Sequence, residues 1–312
     1  MPMNDISVII PTYNAEKYLP DLLEKLKSQN ADFELLIIDS SSTDRTRAIA
    51  SRYTDRIITI PKSEFDHGGT RTKAAKAATG DILVYLTQDA LPADRYTIER
   101  ISSIFEDASI GAAYGRQLPY PETSLFGKHL RSFNYPETSH RRSFADKEKY
   151  GMKTVFLSDS FAAYRREALE KAGWIKDGLI SSEDSYAGAK ILLAGYDLAY
   201  VAEAAVYHSH SYTPLEEFRR YFDIGVFYNR ERWILDTFGR VEGEGSRYIR
   251  SELRYLKAHH AYFRLPEFIL RNGMKYLGFK LGRNYQYIPH SLIPRISMHP
   301  GWWSKPASRE SK

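Results

Sequence analysis

Acidic residues and histidines occur in this sequence where apolar runs end, at positions suited to metal binding and proton transfer. Asp89 follows one such run, and a hard divalent cation that bridges a diphosphate needs at least one carboxylate there. Asp184 lies where a helical pattern begins and could act as the general base for an attacking alcohol. His208 and His210 alternate after another apolar segment, which suits a metal or a phosphate because both rings fall on one side of an extended strand.

Each of these residues also has a structural interpretation. Glu183 and Asp184 would stabilise the first turn of a helix through its dipole. His208 and His210 could be ordinary structural histidines, and Asp89 could project from a strand end without a role. The sequence leaves both interpretations open.

A second group of residues is suited to contacts with a nucleotide. Pro11, Tyr13 and Asn14 follow the first apolar run, so a proline and an aromatic ring could form a flat wall for a base while the asparagine caps the next helix. Asp39 ends the second run and could accept a hydrogen bond from the N–H of a pyrimidine. A turn with a helix cap explains the same residues, and Asp44 is a plausible cap of the following helix.

The segment Phe-Asp-His-Gly-Gly-Thr-Arg at residues 65–71 resembles an anion-binding turn. Gly69 would let the backbone approach a ligand, and the N-terminus of the helix that opens at Thr70 would favour phosphate. Arg71 adds positive charge. The alternative is a plain Gly-Gly turn with surface charges.

Strand-like and helix-like segments alternate through the first half of the chain, which predicts a mainly parallel sheet with helices on both faces. Strands are predicted at residues 7–10, 33–38, 56–60, 82–86 and 161–164, and helices at residues 18–26, 44–53, 70–79, 165–172 and 183–194. Residues 116–150 show no clear periodicity and are predicted to form a functional loop or lid. In such sheets ligands bind beyond the carboxyl ends of the strands, where Asp39 and Asp89 lie.

Composition narrows the class of protein. The 312 residues are 43% hydrophobic and 27% charged, as in a soluble globular protein, and the absence of cysteine excludes disulfides and thiolate metal sites. Neither a GxGxxG nor a GxxxxGKS motif follows the first strand, which argues against dinucleotide-dependent oxidoreductases and phosphate-loop NTPases. We expect neither a secretion signal nor a membrane-spanning helix, and we expect a cytoplasmic protein.

Positive charge concentrates at the C-terminal end. Residues 245–312 contain 13 Lys and Arg against 3 Asp and Glu, within a net charge of +5 for the whole chain. This predicts an anionic partner, such as a membrane surface or a phosphorylated substrate, or else a solvated basic helix. We expect no nucleic-acid partner, because no recognition motif is present.

Taken together and in order, four segments resemble the family 2 glycosyltransferases of the GT-A fold. They are SVIIPTYNAEKYL, LLIIDSSSTDRT, TGDILVYLTQDA and SSEDSYAGAKILLAGY, and the resemblance spans about residues 5–230. Within that family, FDHGGTRTKA and TQDA look like bacterial rhamnosyltransferases that use dTDP-L-rhamnose.

The resemblance implies roles for individual residues. Asp184 matches the catalytic base of the family's Glu-Asp motif, and Asp89 matches the last acid of its DxD-type metal motif. Thr87 stands where that motif usually has its first Asp, so Mg²⁺ or Mn²⁺ would depend on fewer carboxylates, with His208 or His210 as a further ligand. The other substrate contacts implied or predicted are Pro11, Tyr13, Asn14, Asp39, Asp44, Gly69, Arg71, Gln88, Asp159, Trp174 and Glu183.

The implied reaction is the inverting transfer of a sugar, in particular L-rhamnose from dTDP-β-L-rhamnose, to a hydroxyl of a glycan or lipid-linked glycan in bacterial polysaccharide biosynthesis. One alternative is a transferase of the same family that uses a UDP- or GDP-sugar. The other is a noncatalytic module of the same fold that binds nucleotide-sugars or glycans. Residues 1–214 would form the catalytic GT-A domain. Residues 215–312 would form a helical, basic region for contacts with the acceptor, the inner face of the cytoplasmic membrane or a second copy of the chain in a homo-oligomer.

Overall fold

The computed structural model describes residues 5–239 and 242–304, and within these ranges nine strands form one mixed sheet. The strands are β1 (Ile6–Thr12), β2 (Glu34–Asp39), β3 (Ile57–Thr59), β4 (Ile82–Leu86), β5 (Leu91–Pro92), β6 (Ile110–Leu118), β7 (His140–Arg142), β8 (Phe161–Arg165) and β9 (Asp197–Tyr207). Their order is β3-β2-β1-β4-β8-β6-β9-β5, with β7 also paired to β9.

Helices cover the sheet and continue to the C-terminal end of the described chain. They are α1 (Leu19–Lys27), α2 (Thr46–Ala50), α3 (His67–Ala77), α4 (Thr97–Ser103), α5 (Leu125–Asn134), α6 (Lys147–Tyr150), α7 (Arg166–Lys171), α8 (Glu183–Leu193), α9 (Pro214–Arg230), α10 (Arg232–Phe238), α11 (Glu242–Ala258), α12 (Leu265–Arg283) and α13 (Ile293–Ile296). None of the described helices combines the length and the apolar composition that crossing a bilayer requires.

The sheet is mixed, and four of its eight strand pairings, including the longest, are parallel. Strands β1 to β4 run parallel, β8 is antiparallel between β4 and β6, and β6 is parallel to β9. Because side chains alternate along a strand, Ile9 and Tyr85 belong to the apolar cluster on one face, while Val8, Ile10 and Val84 belong to the cluster on the other. The predicted arrangement of helices on both faces is therefore confirmed.

The C-terminal helices share the core of the sheet. Phe222 and Phe227 of α9, with Trp302 and Trp303 near the end of the described chain, belong to the same apolar cluster as Ile9. The last strand ends at Tyr207 and α9 begins at Pro214. The division of the chain at residue 214 remains a prediction.

Residues 116–150 are more regular than expected, because they contain α5 and β7. Phe126 on α5 packs against Leu256 and Phe268, which come from helices far away in sequence. The buried face of α5 also carries His129 and Arg131, so the segment lacks the purely apolar period by which a helix is recognised.

Helix α3 begins at His67 rather than at the predicted Thr70. The reason is a cap: the Asp66 carboxylate accepts a hydrogen bond from the Gly69 N–H at 2.8 Å. The sequence analysis had placed the start of the helix at the first residue after the two glycines.

Glycines allow α9 and α12 to pack backbone against backbone. A Cβ atom at Gly282 would lie 2.0 Å from the carbonyl oxygen of Phe222, whereas a Cβ atom at Gly273 would meet nothing within 4 Å. Both glycines lie on α12, so they form a matched pair for a test of this contact.

We expect Gly282→Ala to lower the free energy of unfolding by about 1–3 kcal/mol, because the added methyl group forces the two helices apart. Gly273→Ala should leave it unchanged or raise it by up to about 1 kcal/mol, because alanine favours the helix at an open position. Urea denaturation followed by circular dichroism measures both. Equal stability of the two variants would show that the helices do not meet in this way.

Candidate functional site

Asp89, His208 and His210 meet at the carboxyl ends of β4 and β9. The distance from Asp89 Oδ2 is 3.5 Å to His208 Nε2 and 3.8 Å to His210 Nε2. One donor atom from each residue lies within 4.8 Å of the other two. The three residues that the sequence singled out as metal ligands are therefore together in space.

Burial favours the neutral form of both histidines. Burial is the main cause that lowers the pKa of His208 and brings that of His210 to about 4. A neutral imidazole has one nitrogen that donates and one that accepts, and only the accepting nitrogen can bind a metal.

Gln117 of β6 determines which nitrogen of His208 accepts. Arg131, whose guanidinium can only donate, donates to Gln117 Oε1, and the amide nitrogen of Gln117 donates to Ser158 Oγ at 2.8 Å. The oxygen of Gln117 must then accept from His208 Nδ1, 2.9 Å away. The free lone pair of His208 is on Nε2, which faces the carboxylate of Asp89. Two acceptors in this position are complementary to a cation placed between them, so the site fits a divalent metal ion.

Four charged side chains form a second cluster around the start of α8. Arg71 of α3 is 6% exposed, and it lies 3.4 Å from Asp159 Oδ2 through Nε and 3.2 Å from Glu183 Oε1 through Nη1. Asp159 also accepts a hydrogen bond from the Tyr164 hydroxyl. Burial, followed by the charges of Glu183 and Asp159, raises the pKa of Asp184 to about 8. Asp184 is therefore the most basic carboxyl group of this cluster.

Asp184 borders a cavity of about 300 Å³. The cavity is lined by His67, Ser181, Ser182, Glu183, Asp184, Tyr212, Arg220, Asp223, Ile224, Met298 and His299. A volume of this size accommodates about one sugar ring.

The C-terminal segment closes one side of this cavity. The carboxylate of Asp223, on α9, accepts hydrogen bonds from Ser297 Oγ at 2.7 Å and from the N–H groups of Met298 and His299 at 2.9 and 3.0 Å. The His299 ring lies edge to face with that of His67, with 5.2 Å between centroids.

Arg220 of α9 connects the cavity to the cluster of Asp89, His208 and His210. Its guanidinium lies 5.8 Å from the centre of the Tyr212 ring, and that ring lies 5.3 Å from the His210 ring. Burial is the main reason that the pKa of His210 and of His299 is lowered to about 4, and the Arg220 charge adds to both effects. In the described part of the chain Arg220 has no carboxylate partner, so its charge is available to an anionic ligand.

The loop after β1 presents the residues predicted to contact a base. Tyr13 is 37% exposed, and Lys62 lies 4.4 Å above its ring. Gln88 fixes the Tyr13 backbone by accepting from its N–H at 2.9 Å. Asn14 accepts from the Thr43 N–H at 2.9 Å, and Pro11 is half-buried at the end of the strand. The Tyr13 ring is therefore a fixed, accessible wall.

Asp39 and Asp44 hold the loops beside that wall. Asp39 is fully buried and accepts hydrogen bonds from Thr12 Oγ1 at 3.0 Å and from the Ser42 N–H at 2.9 Å. Asp44 accepts from the backbone N–H groups of Glu16 at 3.1 Å and Thr46 at 2.9 Å. Both carboxylates stabilise turns, and Asp44 lies one residue before the N-cap of α2, which is Arg45.

Gly69 and Trp174 lie in a different place from Asp184. They line a separate cleft of about 610 Å³ between α3 and α8, together with Lys73, Lys76, Lys176 and Lys190. Trp174 has a φ of 66°, and Lys76 lies 5.4 Å from the centre of its ring.

Several residues around these sites carried no signal in the sequence. Gln117 and Arg131 fall in the segment interpreted as a loop, while Arg220, Asp223 and His299 fall in the helical C-terminal region. Only the fold brings them close to the candidate metal-binding residues and to Asp184. A sequence pattern covers one element at a time, so it could not have found them.

Comparisons with known proteins identify relatives of this chain. Residues 7–173 match the sequence model of the family described as Glycosyl transferase family 2. The O-antigen chain rhamnosyltransferase WbaN of Salmonella anatum is 44% identical over 99% of this chain and 99% of its own length. The O-antigen chain rhamnosyltransferase RfbN of Salmonella typhimurium is 43% identical over 98% of each chain.

Two solved structures share the fold. The mannosyltransferase PcManGT of Pyrobaculum calidifontis, in complex with GDP-Man and Mn²⁺, gives a TM-score of 0.61 at 19% identity over 97% of this chain and 88% of that one. Residues 1–349 of S. aureus TarS give 0.59 at 18% identity over 95% and 86%. This likeness confirms the predicted GT-A fold.

The raised pKa of Asp184 makes stability depend on pH. Protonation of Asp184 stabilises the folded state. This stabilisation is fully present below the ordinary aspartate pKa of about 4, and it is lost as the pH rises to about 8. Asp184→Asn keeps a neutral side chain at every pH. We therefore expect its melting temperature, relative to wild type, to increase between pH 5 and pH 8.5.

Scanning calorimetry at a series of pH values measures this difference. Asp177→Asn, which changes an exposed carboxylate on the loop before α8, is the control and should show a constant difference. A constant difference for Asp184→Asn as well would contradict the raised pKa.

Proposed function

The chain belongs to glycosyl transferase family 2, and from that premise we propose that it transfers L-rhamnose from dTDP-β-L-rhamnose to a hydroxyl of a lipid-linked glycan during bacterial polysaccharide synthesis. The observation that carries this proposal is the position of Asp184, a basic carboxyl group in a sugar-sized cavity that Arg220 and Tyr212 connect to the Asp89, His208 and His210 cluster. The near full-length similarity to two O-antigen chain rhamnosyltransferases supports the choice of sugar and of acceptor class. Because a lipid-linked acceptor places the reaction at a membrane surface, peripheral membrane contact is part of the proposal.

In this proposal Asp184 is the general base. It takes the proton of the acceptor hydroxyl while the hydroxyl oxygen forms a bond to the anomeric carbon. The bond from that carbon to the phosphate oxygen breaks on the opposite face, and dTDP leaves with the electron pair. The β-linked donor thus gives an α-L-rhamnoside. A pKa of about 8 makes Asp184 a stronger base than an ordinary carboxylate.

Asp159, Glu183 and Arg71 support the base. The sequence had suggested that Arg71 positions the diphosphate, but its charge is directed to Asp159 and Glu183 beneath the cavity. We propose that Arg71 keeps these two carboxylates ionised, so that a proton of the cluster resides on Asp184. Asp159 and Glu183 remain proposed contacts of the acceptor or the donor sugar.

We propose that Asp89, His208 and His210 hold Mg²⁺ or Mn²⁺. When bound, such an ion neutralises charge that develops on the leaving diphosphate. The support is the donor set itself, an acid and two neutral imidazoles, with the lone pair of His208 directed at Asp89 by Gln117. Arg220 is the proposed second cation for the diphosphate, since it lines the cavity without a carboxylate partner in the described chain.

The nucleotide base would lie against Tyr13. Pro11, Asn14 and Gln88 form or fix this wall, which the proposal assigns to thymine. Asp39 and Asp44 would act through the loops that they hold, because their carboxylates already accept hydrogen bonds from those loops.

A binding panel tests the donor and the metal together. We expect dTDP-L-rhamnose with Mn²⁺ to raise the melting temperature more than UDP- or GDP-sugars do, and we expect EDTA to remove most of that rise. A larger effect of a UDP- or GDP-sugar would identify a different donor. Binding of dTDP-rhamnose without dTDP release in the presence of a bacterial membrane lipid extract would identify a noncatalytic module.

The affinity for dTDP tests whether Arg220 binds the diphosphate. We expect Arg220→Ala to weaken dTDP binding about tenfold or more, because a charged hydrogen bond to phosphate contributes about 1.5–3 kcal/mol. Arg232→Ala is the matched control, since Arg232 is exposed and pairs with Asp236 on α10. Equal affinity of the two variants for dTDP would remove Arg220 from the site.

The rate of turnover tests whether Asp184 is the general base. Asp184→Asn should lower kcat about 10²- to 10⁴-fold and leave the Kd of dTDP-rhamnose within about twofold of wild type. In the wild type, kcat/KM should rise with pH up to about 8, as Asp184 becomes ionised. Asp177→Asn is the control and should turn over normally. Near wild-type turnover by Asp184→Asn would show that another group takes the proton.

A further inference from the structure

Helix α12 has one buried face and one exposed apolar face. The buried face, with Phe268, Arg271, Lys275, Gly278 and Gly282, includes the two glycines that meet the backbone of α9. The opposite side, with the turn that precedes the helix, carries two rows of apolar residues seven positions apart. We call these residues the α12 stripe: Tyr262, Ile269 and Tyr276 in one row, and Phe263, Leu270 and Leu277 in the other.

The α12 stripe is unusually exposed for apolar side chains. Phe263 is 75% exposed, Ile269 68% and Tyr276 66%. Single exposed apolar residues are ordinary on protein surfaces, but six of them in two adjacent rows are typical of an interaction surface.

The charge around the α12 stripe is positive. Residues 245–304 contain ten Lys and Arg, of which Arg271 and Lys275 are buried, against two Asp and Glu. Neither acid leaves the surface negative, because Glu252 is fully buried and Glu267 is paired with Arg264 and Arg271. Any partner of this surface therefore meets apolar side chains among cations.

Cations also lie directly on the aromatic rings of the stripe. The Arg264 guanidinium is 5.3 Å from the centre of the Phe263 ring, and the Lys280 ammonium is 5.6 Å from that of Tyr276. Helix α11, which leads into the stripe, adds the exposed side chains of Arg250, Arg254 and Lys257.

We propose that the α12 stripe lies on the surface of a bilayer that contains anionic phospholipids. Its apolar side chains enter the boundary between headgroups and acyl chains, and the surrounding cations meet the lipid phosphates. A second copy of this chain fits less well, because pairing two such faces brings like charges together. Trp302 and Trp303, near the end of the described chain, are buried in the core and take no part in this surface.

This surface is close to the cavity. Helix α9 packs on α12 and supplies Arg220 and Asp223 to the cavity, and packed helices lie about 8–10 Å apart. Arg271 of α12 also donates a hydrogen bond to the backbone oxygen of Tyr212, in the cavity wall, at 2.7 Å. The inference rests on the proposed function to the extent that a lipid-linked acceptor gives membrane contact its purpose.

Vesicle flotation of the full chain tests the proposal, with phosphatidylcholine vesicles and with vesicles in which part of the lipid is phosphatidylglycerol. The wild type should float with the anionic vesicles and much less with the neutral ones. The double variant Leu270→Glu/Leu277→Glu should bind the anionic vesicles about tenfold more weakly or worse, because two apolar side chains become charged.

Leu193→Glu/Leu215→Glu is the matched control. These leucines are 48% and 49% exposed, against 54% and 48% for Leu270 and Leu277, and the added charge is the same. The control should float like the wild type. Equal flotation of both variants, or no flotation of the wild type, overturns the proposal.

Two further measurements separate the other outcomes. If light scattering shows a dimer that Leu270→Glu/Leu277→Glu dissociates, while flotation is absent, the stripe is an interface between copies and the proposal is wrong. Binding of dTDP with Mn²⁺ in solution should be unchanged in the stripe variant. A wild type that binds dTDP but not vesicles would refute only the membrane contact, whereas a wild type that does not bind dTDP would refute the proposed function.

Discussion

The candidate site depends on the burial of carboxylates around one guanidinium, that of Arg71. Arg71 reaches from α3 to Asp159, which precedes β8, and to Glu183, at the start of α8. Without that positive charge, two buried acids would face each other at a large electrostatic cost. The contact joins three segments that are far apart in sequence, and it leaves the neighbouring Asp184 as the group on which a proton is most stable. The same interaction therefore fixes the local fold and, in the proposed mechanism, prepares the base.

The sheet and the main acids could be predicted from the sequence because each is a local pattern. Short β-branched runs that end in Asp39 or Asp89 show both the strand and the side of the sheet on which a ligand lies. The match to family 2 and the likeness to GT-A structures confirm the family and the fold, and the ligand side of the sheet stays a prediction. The residues that act through other residues were not predictable in this way. Gln117 matters only because β6 places it between Arg131 and His208, and no pattern within one strand contains that information.

Helix α5 shows a second reason for the limits of sequence interpretation. Its buried face carries His129 and Arg131 as well as Phe126, because one part of the face packs on α11 and α12 while another part supports His208 through Gln117. Polar residues that are buried for a purpose interrupt the apolar period. The buried His129 and Arg131 are therefore the reason why this helix was interpreted as an irregular segment. Arg71 gave the opposite difficulty, since a basic residue after two glycines suggests a phosphate contact when viewed alone.

The backbone contact between α9 and α12 fixes the distance between these two helices. No side chains separate the two helices at Gly225, Gly278 and Gly282, so there is little soft material between them to compress. With one side of this pair against a lipid surface and the other forming the cavity, the base would stand at a constant height above the bilayer. A glycan that grows on a lipid carrier presents its terminal hydroxyl farther from the bilayer with each added sugar. The helix pair would then select acceptors by their length. Transfer rates with acceptors of one, two and three sugars would measure the height of the base above the bilayer.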